Sequence, residues 1–179
     1  RTVSSAASDV YKRQQEEGAE IILTGAGRGL RLTQRTARKL PTEPSVFEFD
    51  VTNPAHVPTL RDAIAAEFGT LDGALHAIGF APEAALGDDF MGATWDDVKV
   101  AVEISAYSLK TLAEVAAPLM PNGGSIVGLD FDATVAWPAY NWMGFAKAAL
   151  ESANRYLARE LGPQGLSLIH ISEPTRLTR

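Results

Sequence analysis

The chain has 179 residues, of which 46% are hydrophobic and 21% charged, and its formal net charge is -6. This composition is typical of a folded globular protein and excludes an intrinsically disordered chain. The acidic balance argues against nucleic acid or an anionic membrane as a partner, and no apolar run reaches the roughly 18 residues of a membrane-spanning helix. The absence of cysteine excludes disulfides, catalytic thiolates and cysteine-bound metals. We expect no leader peptide and a cytoplasmic location.

The two ends of the chain differ from its middle. The strings SSAASDVYKRQ (Ser4–Gln14) and LSLIHISEPTR (Leu166–Arg176) resemble translations of transposase sequencing adaptors, read from opposite directions. We therefore expect residues 1–14 and 166–179 to be adaptor-like artefacts, and we exclude them from fold prediction. The protein proper would then occupy residues 15–165, as part of one longer domain.

Short apolar runs and helical patterns alternate along the first part of this segment. Isoleucine-rich and β-branched runs indicate strands, and a Pro after Asn at 53–54 indicates a helix start. The predicted elements are a strand over 20–24, a helix over 30–40, a strand over 45–51, a helix from Asn53 to about Phe68, a strand over 71–78 and a loop over 79–93.

The second part continues the same alternation. Thr94 and Asp97 resemble a capping box, with Asp in place of Glu, that begins a helix to about Met120. A fourth strand covers 125–129, and a long helix then runs to Gly162. Strands separated by helices predict right-handed βαβ units. We therefore expect an α/β fold, a doubly wound, Rossmann-like parallel sheet that is incomplete at both ends.

A glycine-rich turn, TGAGRG (Thr24–Gly29), follows the first predicted strand and is similar to a dinucleotide-binding fingerprint. Only one short helix separates this turn from the strand that ends at Asp50, so we favour Thr24 as the end of the second strand of the sheet. The loop would then face the adenosine ribose. Arg28 and Arg31, with no acidic neighbour, favour NADP there, and two solvated arginines are the alternative.

Tyr140 and Lys147 lie seven positions apart near the start of the long helix, which is close to two helical turns. Their side chains should project from one face. A phenol with an ordinary pKa of about 10 stays protonated at neutral pH and can polarise a carbonyl, while the ammonium holds a sugar hydroxyl. The pair favours a nicotinamide-dependent reductase. The alternative is an aromatic–aliphatic pair on a partly solvated helix face.

Five motifs, FDVTN, LHAIGF, ISAYS, GGSIVGLDFD and PAYNWMGFAK, occur in this order over residues 15–165. Together they resemble the enoyl-[acyl-carrier-protein] reductases, and among them the mycobacterial type inhibited by isoniazid. That family belongs to the short-chain dehydrogenase/reductase superfamily, most members of which carry Y-x3-K and a serine at the end of the preceding strand. Here Gly144 breaks Y-x3-K, Y-x6-K holds, and that strand end has no serine. Residues 15–165 are thus expected to be a partial Rossmann-type reductase domain.

The resemblance implies NADH-dependent reduction of the trans-2 double bond of enoyl thioesters on acyl carrier protein, in fatty acid biosynthesis. It implies that Tyr140 hydrogen-bonds the thioester carbonyl, that Lys147 binds the nicotinamide ribose, and that Phe131 lines the substrate side of the nicotinamide. It also implies a homotetramer for the full-length protein. We expect the 179-residue chain itself to bind NADH poorly and to be inactive.

The same resemblance assigns the remaining cofactor contacts. Asp50 and Val51 would contact the adenine, Ala77, Ile78 and Gly79 would follow the ribose and phosphates, and Ile104 would pack near the same channel. The sequence departs from the family in two places, the first of which also has an added glycine, Gly29. Ala26 and Gly27 replace the aromatic residue that covers the adenine, and Ala77 replaces a serine. We favour NADH and leave NADP open.

Several other polar residues have less specific interpretations. Asp130 and Asp132 lack a nearby histidine, so we expect capping or solvation and no metal site. His56 should be exposed, and His76 should be a core residue with its hydrogen bonds satisfied. Two other functions remain open: a carbonyl reductase of the same superfamily, and a non-catalytic nucleotide-binding relative.

Overall fold

The structure is a computed structural model that describes residues 5–172. The chain divides into two compact units whose boundary falls between Ile64 and Ala65. The main elements are α1 (Ser5–Glu16), β1 (Leu23–Gly25), α2 (Gly27–Ala37), β2 (Val46–Glu48), α3 (His56–Phe68), β3 (Gly73–His76), α4 (Trp95–Val102), a π turn (Glu103–Tyr107), α5 (Ser108–Ala116), β4 (Gly124–Asp130), α6 (Asn141–Leu161) and β5 (Leu166–Ser172).

The first unit contains a two-stranded parallel sheet, in which Leu23 of β1 pairs with Val46 of β2. Its core is small and forms where one face of α2 meets this sheet. The buried members are Leu23, Ala37 and Leu40, with Tyr11, Ile21 and Val46 packed against them. The regular helix α3 begins at His56, three residues after the predicted cap Asn53, but Asn53 Oδ1 accepts the N–H of Ala55 at 3.1 Å, which is the bond expected of an N-cap side chain.

The second unit contains a three-stranded parallel sheet in the order β3-β4-β5. The central strand β4 pairs with β3 from Ser125 to Gly128 and with β5 along its full length. Apolar residues of β4, β5, the π turn, α5, α6 and the turn after α5 form the core around it, namely Ala106, Leu109, Ala113, Ala116, Met120, Ile126, Leu150, Leu161 and Leu166. Parallel strands joined by helices confirm the predicted α/β, Rossmann-like fold class.

The turn before β4 explains its two adjacent glycines. Gly123 has a φ of 83°, and a Cβ atom there would lie 2.7 Å from the carbonyl oxygen of Gly165. A Cβ on Gly124 would lie 2.8 Å from the carbonyl oxygen of Asp72. Larger residues would push β4 away from its neighbours, so both glycines allow the start of β4 to approach the chains that precede β3 and β5.

The long helix predicted from Thr94 to Met120 consists of four parts, which are α4, the π turn, α5 and a short 3-10 turn over Ala117–Leu119. The capping box is confirmed, because the Thr94 side chain accepts the N–H of Asp97 and the Asp97 carboxylate accepts the N–H of Thr94. The helix then widens into the π turn before α5 continues it. None of the helices in the described part of the chain combines the length and apolarity needed to cross a bilayer.

The two adaptor-like ends contribute regular elements. Much of the first lies in α1, and β5 lies in the second and pairs in parallel with β4. Leu166 of β5 is 5% exposed and belongs to the core. A strand edge pairs through its backbone, so any short run rich in β-branched residues can add to it. The adaptor interpretation, and with it the 15–165 boundary, stays a prediction.

Candidate active site

The carboxyl end of β4 holds the predicted lysine. Lys147 Nζ donates a hydrogen bond to the Leu129 carbonyl oxygen at 3.0 Å and lies 3.8 Å from Asp130 Oδ1. The side chains of Lys147 and Asp130 are 11% and 0% exposed. A buried ammonium requires a carboxylate and carbonyl partners to compensate for its lost hydration. The lysine is therefore fixed to the strand end by both groups.

The position of Asp130 corrects the expectation that it would be solvated. Its carboxylate is buried beside the ammonium of Lys147. Asp132 does behave as a turn residue, since its Oδ1 accepts the N–H and the hydroxyl of Thr134 at 2.9 and 2.6 Å. Those bonds lower the pKa of Asp132. No group of three or more His, Cys, Asp or Glu within residues 5–172 could hold a metal ion.

The predicted tyrosine lies just outside α6. Tyr140 occupies the position before the first helical residue, with a φ of -83°, so the prediction that it belongs to the helix is off by one residue. Its neighbours Ala139 and Asn141 have φ values of 59° and 49°. Such left-handed backbone costs roughly 1–2 kcal/mol for a residue with a side chain. The tyrosine thus sits between two strained residues.

Phe131 connects the tyrosine to the strand end. Its ring centroid lies 4.7 Å from that of Tyr140 and 5.4 Å from that of Trp137. Phe131 directly follows Asp130, which faces Lys147. The structure therefore brings Tyr140, Phe131 and Lys147 to the same strand end through adjacent residues, although the tyrosine is not on the helix itself.

A loop covering residues 86–90 is bonded to the turn that carries Tyr140. The N–H of Gly87 donates to the Ala139 carbonyl at 3.0 Å, and Asn141 Nδ2 donates to the Leu86 carbonyl at 3.4 Å. Trp142 Nε1 donates to the Phe90 carbonyl at 3.0 Å, and the two rings stack with centroids 4.4 Å apart. These contacts compensate for the strained backbone of the turn.

A cavity of about 610 Å³ lies between this loop and the start of α6. Its wall includes Tyr140 and the apolar side chains of Phe90, Val135, Trp137 and Phe145. The volume lies within the usual range of small-molecule sites, and the apolar wall suits a hydrocarbon chain. Tyr140 is part of this wall, whereas the Lys147 ammonium is bonded to the Leu129 carbonyl at the end of β4.

The predicted cofactor residues 77–79 follow β3. Ala77 and Gly79 are exposed and Ile78 is half-buried, so the backbone of this segment is accessible. Ile104 is half-buried in the π turn, where its carbonyl oxygen accepts the hydroxyl of Ser108 at 2.6 Å. An accessible backbone after a parallel strand is where α/β proteins bind cofactors. The segment is therefore suited to NADH, although its contacts with the cofactor stay a prediction.

His76, the last residue of β3, is completely buried. Its Nε2 lies 2.7 Å from Ser108 Oγ, but its Nδ1 has no hydrogen-bond partner within the described residues. The prediction of a buried histidine is confirmed, and the prediction that all its bonds are satisfied is wrong for Nδ1. Burial, and next the nearby Lys147 ammonium, lower the pKa of His76 to about 4.

The predicted adenine contacts lie in the first unit, directly after β2. Asp50 Oδ1 accepts the N–H and hydroxyl of Thr52 at 2.9 and 2.7 Å, and these bonds lower the pKa of Asp50. The N–H of Asp50 donates to His56 Nδ1 at 3.0 Å. His56 is half-buried, so the expectation that it is exposed is wrong. Val51 is also half-buried, and the roles of Asp50 and Val51 stay predictions.

Sequence reasoning missed three groups of this site. Asp130 could have been found from a carboxylate that ends an otherwise apolar strand, since a buried acid needs a cation. The two serines of the ISAYS segment, Ser105 and Ser108, are both completely buried. Their sequence carried no signal beyond two small polar residues three positions apart on a helix.

Comparisons with known proteins agree with these features. A family model described as enoyl-(acyl carrier protein) reductase matches residues 2–174. An enoyl-[acyl-carrier-protein] reductase [NADH] from Mycolicibacterium smegmatis is 48% identical over 169 residues, which cover 92% of this chain and 62% of that protein. A protein of the same name from Mycobacterium avium is 45% identical over 168 residues, with 92% and 62% covered.

A more distant relative extends the comparison. An enoyl-[acyl-carrier-protein] reductase [NADH] from Bacillus subtilis is 34% identical over 171 residues, which cover 94% of this chain and 66% of that protein. The chain thus spans about 62% of the length of the two mycobacterial relatives. Because the family model matches nearly the entire sequence, the chain belongs to the enoyl-(acyl carrier protein) reductase family.

Proposed function

We propose that the whole protein, meaning the polypeptide that carries this sequence over the full length of its relatives, reduces the trans-2 double bond of enoyl thioesters on acyl carrier protein with NADH. The pathway would be fatty acid biosynthesis. The observation that carries this proposal is Tyr140 in the wall of an apolar cavity, beside a strand end that holds the buried Lys147.

Tyr140 would act on the thioester oxygen. The hydride for the β-carbon of the substrate would come from NADH, and its addition would leave negative charge on the carbonyl oxygen. A phenol hydroxyl aimed at that oxygen stabilises the charge, which is worth about 3–4 kcal/mol for a preorganised donor. The contact with Phe131 supports the tyrosine ring in this position.

Lys147 would hold the cofactor. Its ammonium donates to the Leu129 carbonyl at the end of β4, which is where the hydroxyls of the nicotinamide ribose would lie. The Asp130 carboxylate, 3.8 Å away, attracts the ammonium and helps to fix it there. The exposed backbone of Ala77–Gly79 would follow the ribose and phosphates, with Ile104 beside the channel and Asp50 and Val51 at the adenine.

The acyl chain would occupy the cavity beside Tyr140. Its aromatic wall matches a hydrocarbon better than a small polar ketone, which favours an enoyl thioester over the substrates of carbonyl reductases. We further propose that the whole protein is a cytoplasmic homotetramer. The exposed Trp95 and Tyr107 on α4 and the π turn support an interface there.

The test replaces Tyr140 by Phe in the whole protein and measures crotonyl-thioester reduction. We expect kcat to fall roughly 100- to 1,000-fold, because one preorganised donor is lost, with NADH affinity unchanged. Tyr156→Phe, the same change at a residue that is 69% exposed on α6, should leave the rate unchanged. Full activity of Tyr140→Phe, or turnover of a ketone in preference to the enoyl thioester, would reject the proposal.

A further inference from the structure

The helix opposite β3 contains a π turn at Glu103–Tyr107. A π turn is rare, because its wider ring of hydrogen bonds is less stable than that of an α-helix, and it occurs frequently at functional sites. Two serines lie in it and directly after it. Both Ser105 and Ser108 are completely buried; the Ser108 hydroxyl contacts His76, the last residue of β3, and the Ser105 hydroxyl contacts Phe80, in the chain that follows β3.

Ser105 binds the far end of the segment 77–79. Its Oγ accepts the N–H of Phe80 at 2.9 Å and donates to the carbonyl oxygen of Phe80, also at 2.9 Å. One hydroxyl thus bonds both the N–H and the C=O of Phe80, as a neighbouring strand would do. These two bonds fix both the orientation of the Phe80 backbone and its distance from the π turn.

Ser108 binds the near end of the same segment. Its Oγ lies 2.7 Å from Nε2 of His76 and donates to the Ile104 carbonyl at 2.6 Å. A hydroxyl has a single proton, so while Ser108 donates to Ile104, His76 Nε2 carries the ring proton and donates to Ser108. His76 is therefore tied to the π turn by a direct bond, with residues 77–79 between the two serine contacts.

We propose that Ser105 and Ser108 are positioning residues that fix the backbone of Ala77–Gly79 for the cofactor. This inference rests on the proposed NADH-dependent function. Ala77 has no polar side chain, so any hydrogen bond it offers a cofactor must come from its backbone. The N–H and C=O directions of three consecutive residues then decide the affinity, and the two serines hold both ends of that stretch.

The first experiment measures amide hydrogen exchange in the 179-residue chain. In Ser105→Ala the N–H of Phe80 loses its acceptor, and we expect its protection to fall roughly tenfold, together with faster exchange at Ile78 and Gly79. Ser105→Thr keeps the hydroxyl and should restore protection. Thr59→Ala is the matched control, because it removes the hydroxyl by which Thr59 of α3 donates to the Ala55 carbonyl, away from residues 77–80. Unchanged exchange at Phe80 in Ser105→Ala would overturn the proposal.

The second experiment measures steady-state kinetics in the whole protein. Ser105→Ala and Ser108→Ala should raise KM for NADH roughly tenfold each, as expected for one lost positioning bond, with little change in KM for the enoyl thioester. A merely structural role would lower thermal stability and leave both KM values unchanged, which would also overturn the proposal. If the unmodified protein reduces no enoyl thioester, the proposed function fails, while the exchange data still decide whether the serines fix residues 77–79.

Discussion

Tyr140 and Lys147 form one predicted pair, but the structure holds the two side chains in different ways. Lys147 lies inside α6, is nearly buried, and is bound to Leu129 and Asp130 at the end of β4. Tyr140 lies outside the helix, between two residues with left-handed backbone, and loop 86–90 is bonded to its turn. The position of the lysine is set by buried charges and a hydrogen bond, and the position of the tyrosine is set by a strained turn and the loop bonded to it.

Because of this difference, the lysine side of the site should be more rigid than the tyrosine side. A buried ion pair cannot lose one partner without leaving an uncompensated charge, so the lysine side of the site is rigid. A strained turn stabilised by a few loop contacts can relax at a cost of only a few kcal/mol, so the tyrosine side is more adaptable. In the proposed function the rigid lysine side would hold the cofactor and the adaptable tyrosine side would meet the substrate.

The largest effect is expected from Lys147→Met. The change removes the ammonium nearest to the buried carboxylate of Asp130, which lies 3.8 Å away. Breaking a buried pair by removing one partner typically costs about 3–5 kcal/mol, and we expect that loss in the free energy of unfolding measured with urea.

The double variant Lys147→Met with Asp130→Asn supplies the control. Removal of both charges should recover much of the lost stability, because the uncompensated carboxylate is then gone. If the two single effects simply add, the pair is not coupled, and the contrast between lysine and tyrosine is wrong.

The next largest effect concerns pH and His76. Its pKa is about 4 in the folded chain, against an ordinary value of 6.5. Between these values the unfolded chain binds a proton that the folded chain does not. The contribution of uncharged His76 to the free energy of unfolding is therefore fully present above pH 6.5. This contribution falls as the pH drops toward 4, by about 3 kcal/mol in total.

Urea unfolding between pH 7 and pH 4 measures this loss. The glutamine of the His76→Gln variant cannot be protonated in this range, so the variant should lose the part of the slope that comes from His76. Lys147→Met should reduce the slope as well, since the lysine charge contributes to the lowered pKa. An identical slope in the His76→Gln variant would show that another group causes the acid sensitivity.

Local patterns in the sequence predict much of this architecture. The Thr94–Asp97 capping box and the Tyr140–Lys147 spacing could be read from the sequence, because each depends on residues a few positions apart. The parallel strands could be predicted from the alternation of strand and helix patterns along the chain. The order of the motifs also predicted the family, which the family match confirms. Residue types at short range therefore determine many of the elements and predict the residues of the candidate site.

Contacts between distant residues were not accessible in this way. Burial of Asp130 depends on a lysine 17 positions later, and the bond between Ser105 and Phe80 spans 25 positions. The left-handed φ of Ala139 was hidden for another reason, since alanine favours helix and gives no sign of such a turn. Tertiary contacts impose these features on sequences that locally favour something else.

A smaller effect is expected at the turn beside Tyr140. Asn141 has a φ of 49°, which asparagine tolerates better than alanine does. Asn141→Ala should lower the free energy of unfolding by about 1–2 kcal/mol, because alanine lacks that tolerance and cannot bond to Leu86. Asn141→Gly loses the same bond but accepts the positive φ without strain, so it should lose less. Equal losses in urea unfolding would mean that the backbone of this turn is not strained.

The smallest effect is expected from Trp142→Phe, which tests the bond between the turn and loop 86–90. Phenylalanine can keep the stack on Phe90 but loses the indole N–H that donates to the Phe90 carbonyl. We expect a loss of about 1 kcal/mol in stability and faster amide exchange in the loop. Trp137→Phe is the matched control, since it removes an indole hydrogen bond of similar length, 2.9 Å, which Trp137 donates to the Asp132 carbonyl. If both variants leave exchange in the loop unchanged, the loop does not depend on Trp142. The tyrosine turn would then have to be held by the bonds of Gly87 and Asn141 alone.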